Sequence, residues 1–249
     1  MKWKQIYLGF FFFSVYVFYG QTVFELLDAK ETGVDFENTI VDHPQHNILL
    51  YANYYGGGGV GIADFNNDGL QDLYFTGNLV GDELYLNEGN LHFKKITTAA
   101  GIQNDQTWSS GVAIADVNGD GWQDIYVSKE LYDEAPEKRR NKLYINKGNL
   151  TFEEQAQQWG VDEAERTRQA LFFDYDNDGD VDLFLLNQPP NPGSFSTFFG
   201  QELLLPQYSC KLFKNIANQK FEDVTQQAGV FRTGFPNSAI ASDFNNDGW

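Results

Sequence analysis

The sequence predicts an all-β fold, a β-propeller built from four-stranded blades. Three observations predict it: an acidic loop motif recurs four times, a hairpin pattern recurs three times between the loops, and the flanking segments are short and rich in apolar, β-branched and aromatic residues. Segments of this length and composition are typical of strands rather than helices. One unit contains about four strands and roughly 50 to 70 residues, which is the size of a propeller blade.

The first 20 residues form a segment of a different kind. Lys2 and Lys4 precede an uncharged, mostly apolar run from 6 to 19, which is the order of a secretory signal and is short for a membrane-spanning helix. Phe18 fits the small-residue rule for cleavage after Gly20 poorly, so an uncleaved anchor stays as the alternative. We therefore assign residues 1–20 to a signal peptide or anchor and residues 21–249 to the repeat domain. The expected location is outside the cell or in the cell envelope.

The charge of the chain restricts its partners. The 249 residues include 17 Lys and Arg against 35 Asp and Glu, for a formal net charge of −18. An acidic surface repels phosphate backbones and anionic lipid headgroups, which argues against nucleic acid, and against a membrane except through an uncleaved N-terminal segment. Cations are the expected partners. The single cysteine, Cys210, cannot form an intrachain disulfide, so stability has to come from packing or from bound ions.

The acidic loops follow the pattern D-x-[DN]-x-D-G-x-x-D. Oxygen donors stand at positions 1, 3 and 5, the glycine at position 6 permits a sharp reversal, the carbonyl at position 7 adds a donor, and the Asp at position 9 completes the set. Calcium accepts about six to eight oxygens in flexible geometry, so the pattern predicts Ca²⁺ rather than Mg²⁺. One Cys and three scattered His offer no soft ligand cluster, which argues against zinc.

The predicted ligands are the side chains at positions 1, 3, 5 and 9 and the main-chain carbonyl at position 7. In chain order they are Asp64, Asn66, Asp68, Leu70 and Asp72; Asp116, Asn118, Asp120, Trp122 and Asp124; Asp174, Asp176, Asp178, Asp180 and Asp182; and Asp243, Asn245 and Asp247. The sequence ends at Trp249, seven positions into the fourth loop. We therefore expect an incomplete arc of about three and a half to four blades, cut inside the fourth calcium loop.

Two other interpretations of the loops fit the residues less well. Asn, Asp and Gly dominate ordinary turns, but turn chemistry does not require Asp at four fixed offsets in three complete copies. An EF-hand requires Glu at position 12, where this chain has Phe75, Val127 and Leu185 within predicted strands. The calcium interpretation is therefore the favoured one.

The hairpin pattern divides each repeat into a constant part and a variable part. The predicted hairpins span 84–93, 143–152 and 212–221, and the strands that enter the loops span 60–63, 112–115, 171–173 and 239–241. The distance from the last loop Asp to the hairpin Asn is 15, 22 and 33 residues, whereas the distance from that Asn to the next loop is 29, 28 and 28. One connection per blade therefore carries the length variation. Equivalent connections emerge on one face, which predicts a variable-loop face that binds a protein or carbohydrate ligand. The longest connection, from Asn187 to Ser209, is rich in Pro and Phe.

The loops, together with G-V-A-I-A-D at 111–116 and F-E-D-V-T-Q-Q-A-G-V at 221–230, resemble FG-GAP/VCBS repeats. Such repeats form integrin α-subunit propellers and occur in large exported bacterial proteins similar to cartilage acidic protein. The resemblance covers roughly residues 24 to 249. It implies a seven-bladed propeller with one calcium per loop, a role in adhesion or recognition, and no catalysis by the propeller.

Three classes of function remain at this point. The favoured one is an exported calcium-binding module for adhesion or for recognition of a ligand or protein. The alternatives are a non-catalytic scaffold that presents another domain and a part of a larger exported polysaccharide-processing enzyme. We predict no enzyme activity, because His43, His46 and His92 are isolated and the sequence contains neither G-x-S-x-G nor H-E-x-x-H. The segment His43–His46 is interpreted as a surface turn rather than a metal site.

Overall fold

The computed structural model of the protein describes residues 24–51, 53–189 and 205–245. The predicted signal segment at 1–20, most of the insertion between Asn187 and Ser209, and the predicted ligand Asp247 lie outside the described residues. The described residues form three four-stranded antiparallel sheets.

Each sheet is a meander in which consecutive strands are neighbours. The first sheet contains β1 (Val60–Ala63), β2 (Asp72–Phe75), β3 (Glu83–Asn87) and β4 (Phe93–Lys95). The second contains β5 (Ser109–Ala115), β6 (Asp124–Lys129), β7 (Lys142–Asn146) and β8 (Phe152–Glu154). The third contains β9 (Arg166–Phe173), β10 (Asp182–Gln188), β11 (Lys211–Ile216) and β12 (Lys220–Asp223). The all-β prediction is confirmed, and the three sheets are the predicted blades.

Helical structure is short in the described part of the chain. It consists of the α-helices α1 (Ala29–Thr32) and α2 (Ala156–Trp159) and the 3₁₀ helices Pro136–Arg139 and Pro206–Tyr208. Gly160 ends α2 in a left-handed conformation with φ of 74°. None of these helices has the length and apolar character needed to cross a membrane.

Neighbouring sheets are held together by hydrophobic clusters. The first and second sheets share a cluster that includes Tyr74, Leu84, Ile125 and Tyr144. The second and third sheets share a larger one, with residues such as Trp159 packed against Phe221 at a ring distance of 5.7 Å. Burial of this apolar surface is the main favourable contribution to the association of the blades.

The acidic loops take part in these interfaces through the residue at position 2. Phe65 and Val117, which follow the first Asp of loops 1 and 2, are fully buried within the two clusters. Phe65 meets Phe152 of the second sheet edge to face at 5.7 Å. The packing of adjacent blades thus fixes the second residue of each of these two loops.

A segment without regular secondary structure, which was not predicted from the sequence, lies across the first sheet and onto its neighbours. We call it the N-terminal strap (residues 34–51 and 53–56). Phe36 stacks on Phe75 at 5.0 Å, and Tyr51 and Tyr54 pack against Trp108 at 5.3 and 5.4 Å. The hydroxyl group of Tyr51 donates a hydrogen bond to the buried carboxylate of Glu130. The strap therefore connects the first sheet to residues next to β5 and β6 of the second sheet, Trp108 and Glu130.

One predicted strand is wrong. Residues Ala239–Ala241 are not a strand in the structure. Ala239 instead forms two hydrogen bonds with the side chain of Gln169, at 3.1 and 3.3 Å. In each complete blade the strand before the acidic loop pairs with the strand after it. Among the described residues, 239–241 has no partner strand of this kind.

Candidate metal centre

The three complete loops have the same backbone geometry. In loop 1 the two carboxylate oxygens of Asp64 accept hydrogen bonds from the main-chain N–H groups of Asp68, at 3.1 Å, and Gly69, at 2.7 Å. Asp116 repeats these two bonds in loop 2, and Asp174 repeats them in loop 3. The first Asp therefore closes the turn, and its oxygens face the interior of the loop.

Two positions of each loop require a left-handed backbone. The glycine at position 6 has φ of 86°, 87° and 93° at Gly69, Gly121 and Gly179, with no atom within 4 Å of an added Cβ. Position 4 is Asn67, Gly119 and Asn177, with φ of 56°, 69° and 57°. Gly and Asn are the residues that adopt this conformation most easily, which explains the sequence at both positions.

The ninth-position aspartates anchor the loops to the sheets. Asp72, Asp124 and Asp182 are each exposed by 1% or less. One carboxylate oxygen of Asp124 accepts the N–H of Val117 at 2.9 Å, and the other accepts the N–H of Asn146 at 2.8 Å. The other two blades repeat both bonds. These carboxylates are thus structural acceptors, which the sequence analysis did not foresee, as well as candidate ligands.

Burial perturbs the acidity of the same three groups. It raises the pKa of Asp124 to about 7, the negative charges of Asp120 and Asp116 add to the rise, and the two N–H hydrogen bonds oppose it. The pKa values of Asp72 and Asp182 are also raised, again chiefly by burial. A carboxylate that is buried among other carboxylates is stabilised in its charged form by a nearby cation.

The hairpin asparagines (Asn87, Asn146 and Asn215) lie beside the loops. The side-chain amide of Asn146 donates to the carbonyl oxygen of Gln123 in its own blade, at 3.1 Å, and to that of Phe65 in the preceding blade, at 2.8 Å. Asn215 likewise reaches Val117 of the preceding blade, at 2.8 Å. In the sequence these residues served only as reference points of the hairpins, although their constant spacing before the next loop was an available indication of a further role.

Loop 3 has the arrangement that most directly fits a cation. Carboxylate oxygens of Asp174, Asp176 and Asp182 lie within 4.8 Å of one another, and within the described ranges this is the group of three His, Cys, Asp or Glu side chains that satisfies this distance. One oxygen of Asp176 is buried and has no hydrogen-bond partner. Hard oxygens with a free acceptor are the donor chemistry that Ca²⁺ prefers, so the residues present fit this ion.

Loops 1 and 2 differ at position 3, where an asparagine replaces the aspartate. The side-chain amide of Asn66 donates to Asp68 at 2.8 Å, and that of Asn118 donates to Asp120 at 2.9 Å. In the fourth loop Asp243 and Asn245 are exposed, and the structure describes no further member of that predicted ligand set. The structure therefore contains three loops, one in each sheet, that share a backbone conformation and differ in the side chain at position 3.

The opposite ends of the strands carry the connections of variable length. In the connection from β6 to β7, Asp133 accepts hydrogen bonds from Arg139 and Arg166, both of which are buried. His43 and His46 exchange two main-chain hydrogen bonds of 2.9 Å, the geometry of the predicted turn. A groove of about 410 Å³ lies beside this turn and reaches Leu79 in the connection from β2 to β3.

Comparison with known proteins identifies the same repeats in this chain. A family model described as FG-GAP-like repeat matches residues 45–127 and 135–185, which contain the three complete loops. Cartilage acidic protein 1 of Xenopus tropicalis is 28% identical over 165 residues. That alignment covers 65% of this chain and 24% of the relative, so the matched region spans about a quarter of the relative's length.

Proposed function

Because the chain belongs to the FG-GAP-like repeat family, we propose that it is an exported recognition module whose three complete acidic loops bind calcium. The observation that carries the proposal is the oxygen cluster of Asp174, Asp176 and Asp182, with the unpaired buried oxygen of Asp176. The same loop geometry in the other two blades supports one ion per loop. The family supports an extracellular role in recognition, and we assign no catalytic step to these repeats.

The calcium is structural in this proposal. Each loop begins at the end of the first strand of a blade and ends at the start of the second. In loops 1 and 2 the second residue also contacts the next blade through its side chain and its carbonyl. Extracellular calcium modules have dissociation constants of about 0.1 to 1 mM, so at about 1 mM free calcium each site adds roughly 0.4 to 1.4 kcal/mol. This is a substantial share of the marginal stability of a domain.

A thermal melt tests the proposal. The full chain is unfolded in a chelator and again in millimolar Ca²⁺, with Mg²⁺ at the same concentration as the matched control. We expect Ca²⁺ to raise the melting temperature by several degrees and Mg²⁺ to have a smaller effect, since Mg²⁺ gives up its water reluctantly. A melting temperature that does not respond to Ca²⁺ would contradict the proposal.

Recognition is assigned to the variable-loop face, which lies at the strand ends opposite the acidic loops. The ion pairs of Asp133 with Arg139 and Arg166 hold its longest described connection in one conformation, which lowers the entropic cost of binding. Binding to arrayed polysaccharides and extracellular proteins tests this assignment. Asp133→Ala should weaken binding to a ligand found in this way while the number of bound calcium ions stays constant. A ligand that binds Asp133→Ala and the unmodified chain equally would contradict it.

A further inference from the structure

Two of the positions at which the third blade differs from the other two lie next to each other in space. Position 3 is Asp176, where the other loops have Asn66 and Asn118. The residue before the hairpin asparagine is Lys214, where the other blades have Leu86 and Ile145. The ammonium group of Lys214 forms ion pairs with both Asp176 and Asp178, the latter at 2.9 Å. The extra acid and the basic residue thus occur in the same blade and contact each other.

The ammonium group takes the place of an amide. In loops 1 and 2 one oxygen of the position-5 aspartate accepts a hydrogen bond from the asparagine at position 3. In loop 3 the corresponding oxygen of Asp178 accepts from Lys214 instead. A carboxylate at position 3 cannot donate, so the lysine supplies the missing donor.

The formal charges of the three predicted ligand sets are equal when Lys214 is counted with loop 3. Loops 1 and 2 each have three carboxylates among their side-chain ligands, at positions 1, 5 and 9. Loop 3 has a fourth at Asp176, and Lys214 compensates for it, so the formal charge of the ligand set, with Lys214 included, is −3 in all three loops. Asp180 at position 7 is not counted, because its predicted ligand is the main-chain carbonyl; its carboxylate accepts a hydrogen bond from Asn218, at 2.8 Å.

We propose that Lys214 is an internal counter-cation of loop 3, which competes with a bound divalent ion for the negative charge of Asp176 and Asp178. The inference rests on the proposed calcium function and names the residue that sets the affinity of one of the sites. The side chain is suited to this role because about a quarter of it, 27%, is exposed, so the ammonium group can move into solvent when the ion binds. Lys214 therefore lowers the calcium affinity of loop 3 and stabilises the same loop without calcium.

The test uses the full chain with Asp68→Asn and Asp120→Asn in loops 1 and 2. These substitutions remove a ligand charge from each loop but keep an oxygen that can accept the local main-chain N–H. In this background, calcium binding to loop 3 is measured by calorimetry for the unmodified loop, Lys214→Gln, and the double variant Asp176→Asn/Lys214→Gln. Lys220→Gln is the charge control, because Lys220 pairs with Glu222 on its own strand, at 2.6 Å.

We expect Lys214→Gln to tighten calcium binding about tenfold, since a unit positive charge is removed from two ligands. The double variant restores the net charge of −3 and should return to within about threefold of the unmodified loop. Lys220→Gln should leave the affinity unchanged. In chelator, Lys214→Gln should lower the melting temperature and the double variant should restore it, which separates loss of a counter-charge from general misfolding.

An unchanged or weaker calcium affinity in Lys214→Gln would overturn this inference, and so would the absence of binding to loop 3 both with and without the lysine. The first result leaves the proposed function intact, because loop 3 still binds calcium. The second also removes loop 3 from the proposed calcium sites, and titration of the unmodified chain then shows whether loops 1 and 2 bind. Failure of the unmodified chain to bind calcium at any loop would instead overturn the proposed function itself. The two failures are therefore distinguishable in one set of titrations.

Discussion

The side-chain amide of Asn146 in the second blade donates a hydrogen bond of 2.8 Å to the carbonyl oxygen of Phe65 in the first. Phe65 is the second residue of the acidic loop of that first blade and is fully buried. One amide thus joins the loop of one blade to the hairpin of the next. Asn215 forms the equivalent bond to Val117, so the contact recurs at both described interfaces.

This contact predicts that Asn146→Ala weakens the interface between the first two blades. The variant leaves the buried carbonyl of Phe65 without this partner, and such a loss costs about 1 to 3 kcal/mol. Asn87→Ala is the matched control, because Asn87 makes the bond within its own blade, to Gln71 at 2.9 Å. Chemical unfolding should show Asn146→Ala to be the less stable variant by about 1 kcal/mol. Equal losses would show that the contact between blades contributes nothing.

Two glycines of loop 2 should respond differently to substitution. Gly121→Ala places a Cβ on a backbone with φ of 87° and should destabilise the protein by about 1 to 2 kcal/mol. Gly119→Asn should cost less than Gly121→Ala, because Asn67 and Asn177 occupy the same position in the other loops and the added Cβ meets only the side-chain amide of Asn218, at 3.1 Å. The free energy of unfolding of both variants is measured in chelator. A larger loss for Gly119→Asn than for Gly121→Ala would contradict this account of the loop.

The N-terminal strap should contribute to stability through Tyr51. Its hydroxyl group donates to Glu130, whose side chain is completely buried and also lies 3.5 Å from Arg168. Tyr51→Phe removes the donor and should destabilise the protein by about 1 to 3 kcal/mol. Tyr55→Phe, which removes a similar bond to Asp42 on the exposed surface, should change stability by less than about 0.5 kcal/mol. If both variants unfold at the same denaturant concentration as the parent, the strap is not anchored as described.

A buried lysine predicts a pH-dependent contribution at Asp105. Lys129 is 1% exposed, and its ammonium group lies 3.2 Å from the Asp105 carboxylate, which Lys142 also contacts. Burial alone would raise the pKa of Asp105, but the charges of the two lysines hold it well below its usual range. A lowered pKa means that the stabilisation is complete above about pH 4 and is lost as the pH falls further.

Asp105→Asn should therefore lower the free energy of unfolding at pH 7 by about 1 to 3 kcal/mol, toward the lower end because Asp105 is partly exposed. The difference from the parent should shrink below about pH 4. Asp162→Asn is the control, because it breaks the more exposed pair with Arg140 and should have little effect at either pH. A difference that stays constant with pH would contradict the assigned ion pair.

The parts of the fold that the sequence predicted are those with local causes. The hairpin from Leu84 to Phe93 and the turn at Gly69 are set by residues close together in the chain, and their recurrence, three times for the hairpin and four times for the loop, made them visible. The strap was missed because its contacts, such as Tyr51 with Glu130, join residues 79 positions apart and follow no period. The strand at 239–241 was predicted from composition, but a strand forms only where a ladder is available.

In the candidate site, too, the features set by nearby residues were predicted, and a contact between distant residues was not. Spacing alone located the oxygens of Asp174, Asp176 and Asp182, which the fold brings within 4.8 Å. It did not reveal that Lys214 faces Asp176, because the lysine lies 38 residues farther along the chain, beyond the longest insertion. The indication available was a charged residue in place of the apolar Leu86 and Ile145.

The most direct test of the central claim is a count of bound calcium ions by native mass spectrometry of the full chain at about 1 mM free calcium. The account predicts three ions for the three complete loops, and one fewer in Asp120→Asn, because each loop has its own set of ligands. The absence of bound calcium, or the loss of all ions together in Asp120→Asn, would contradict it.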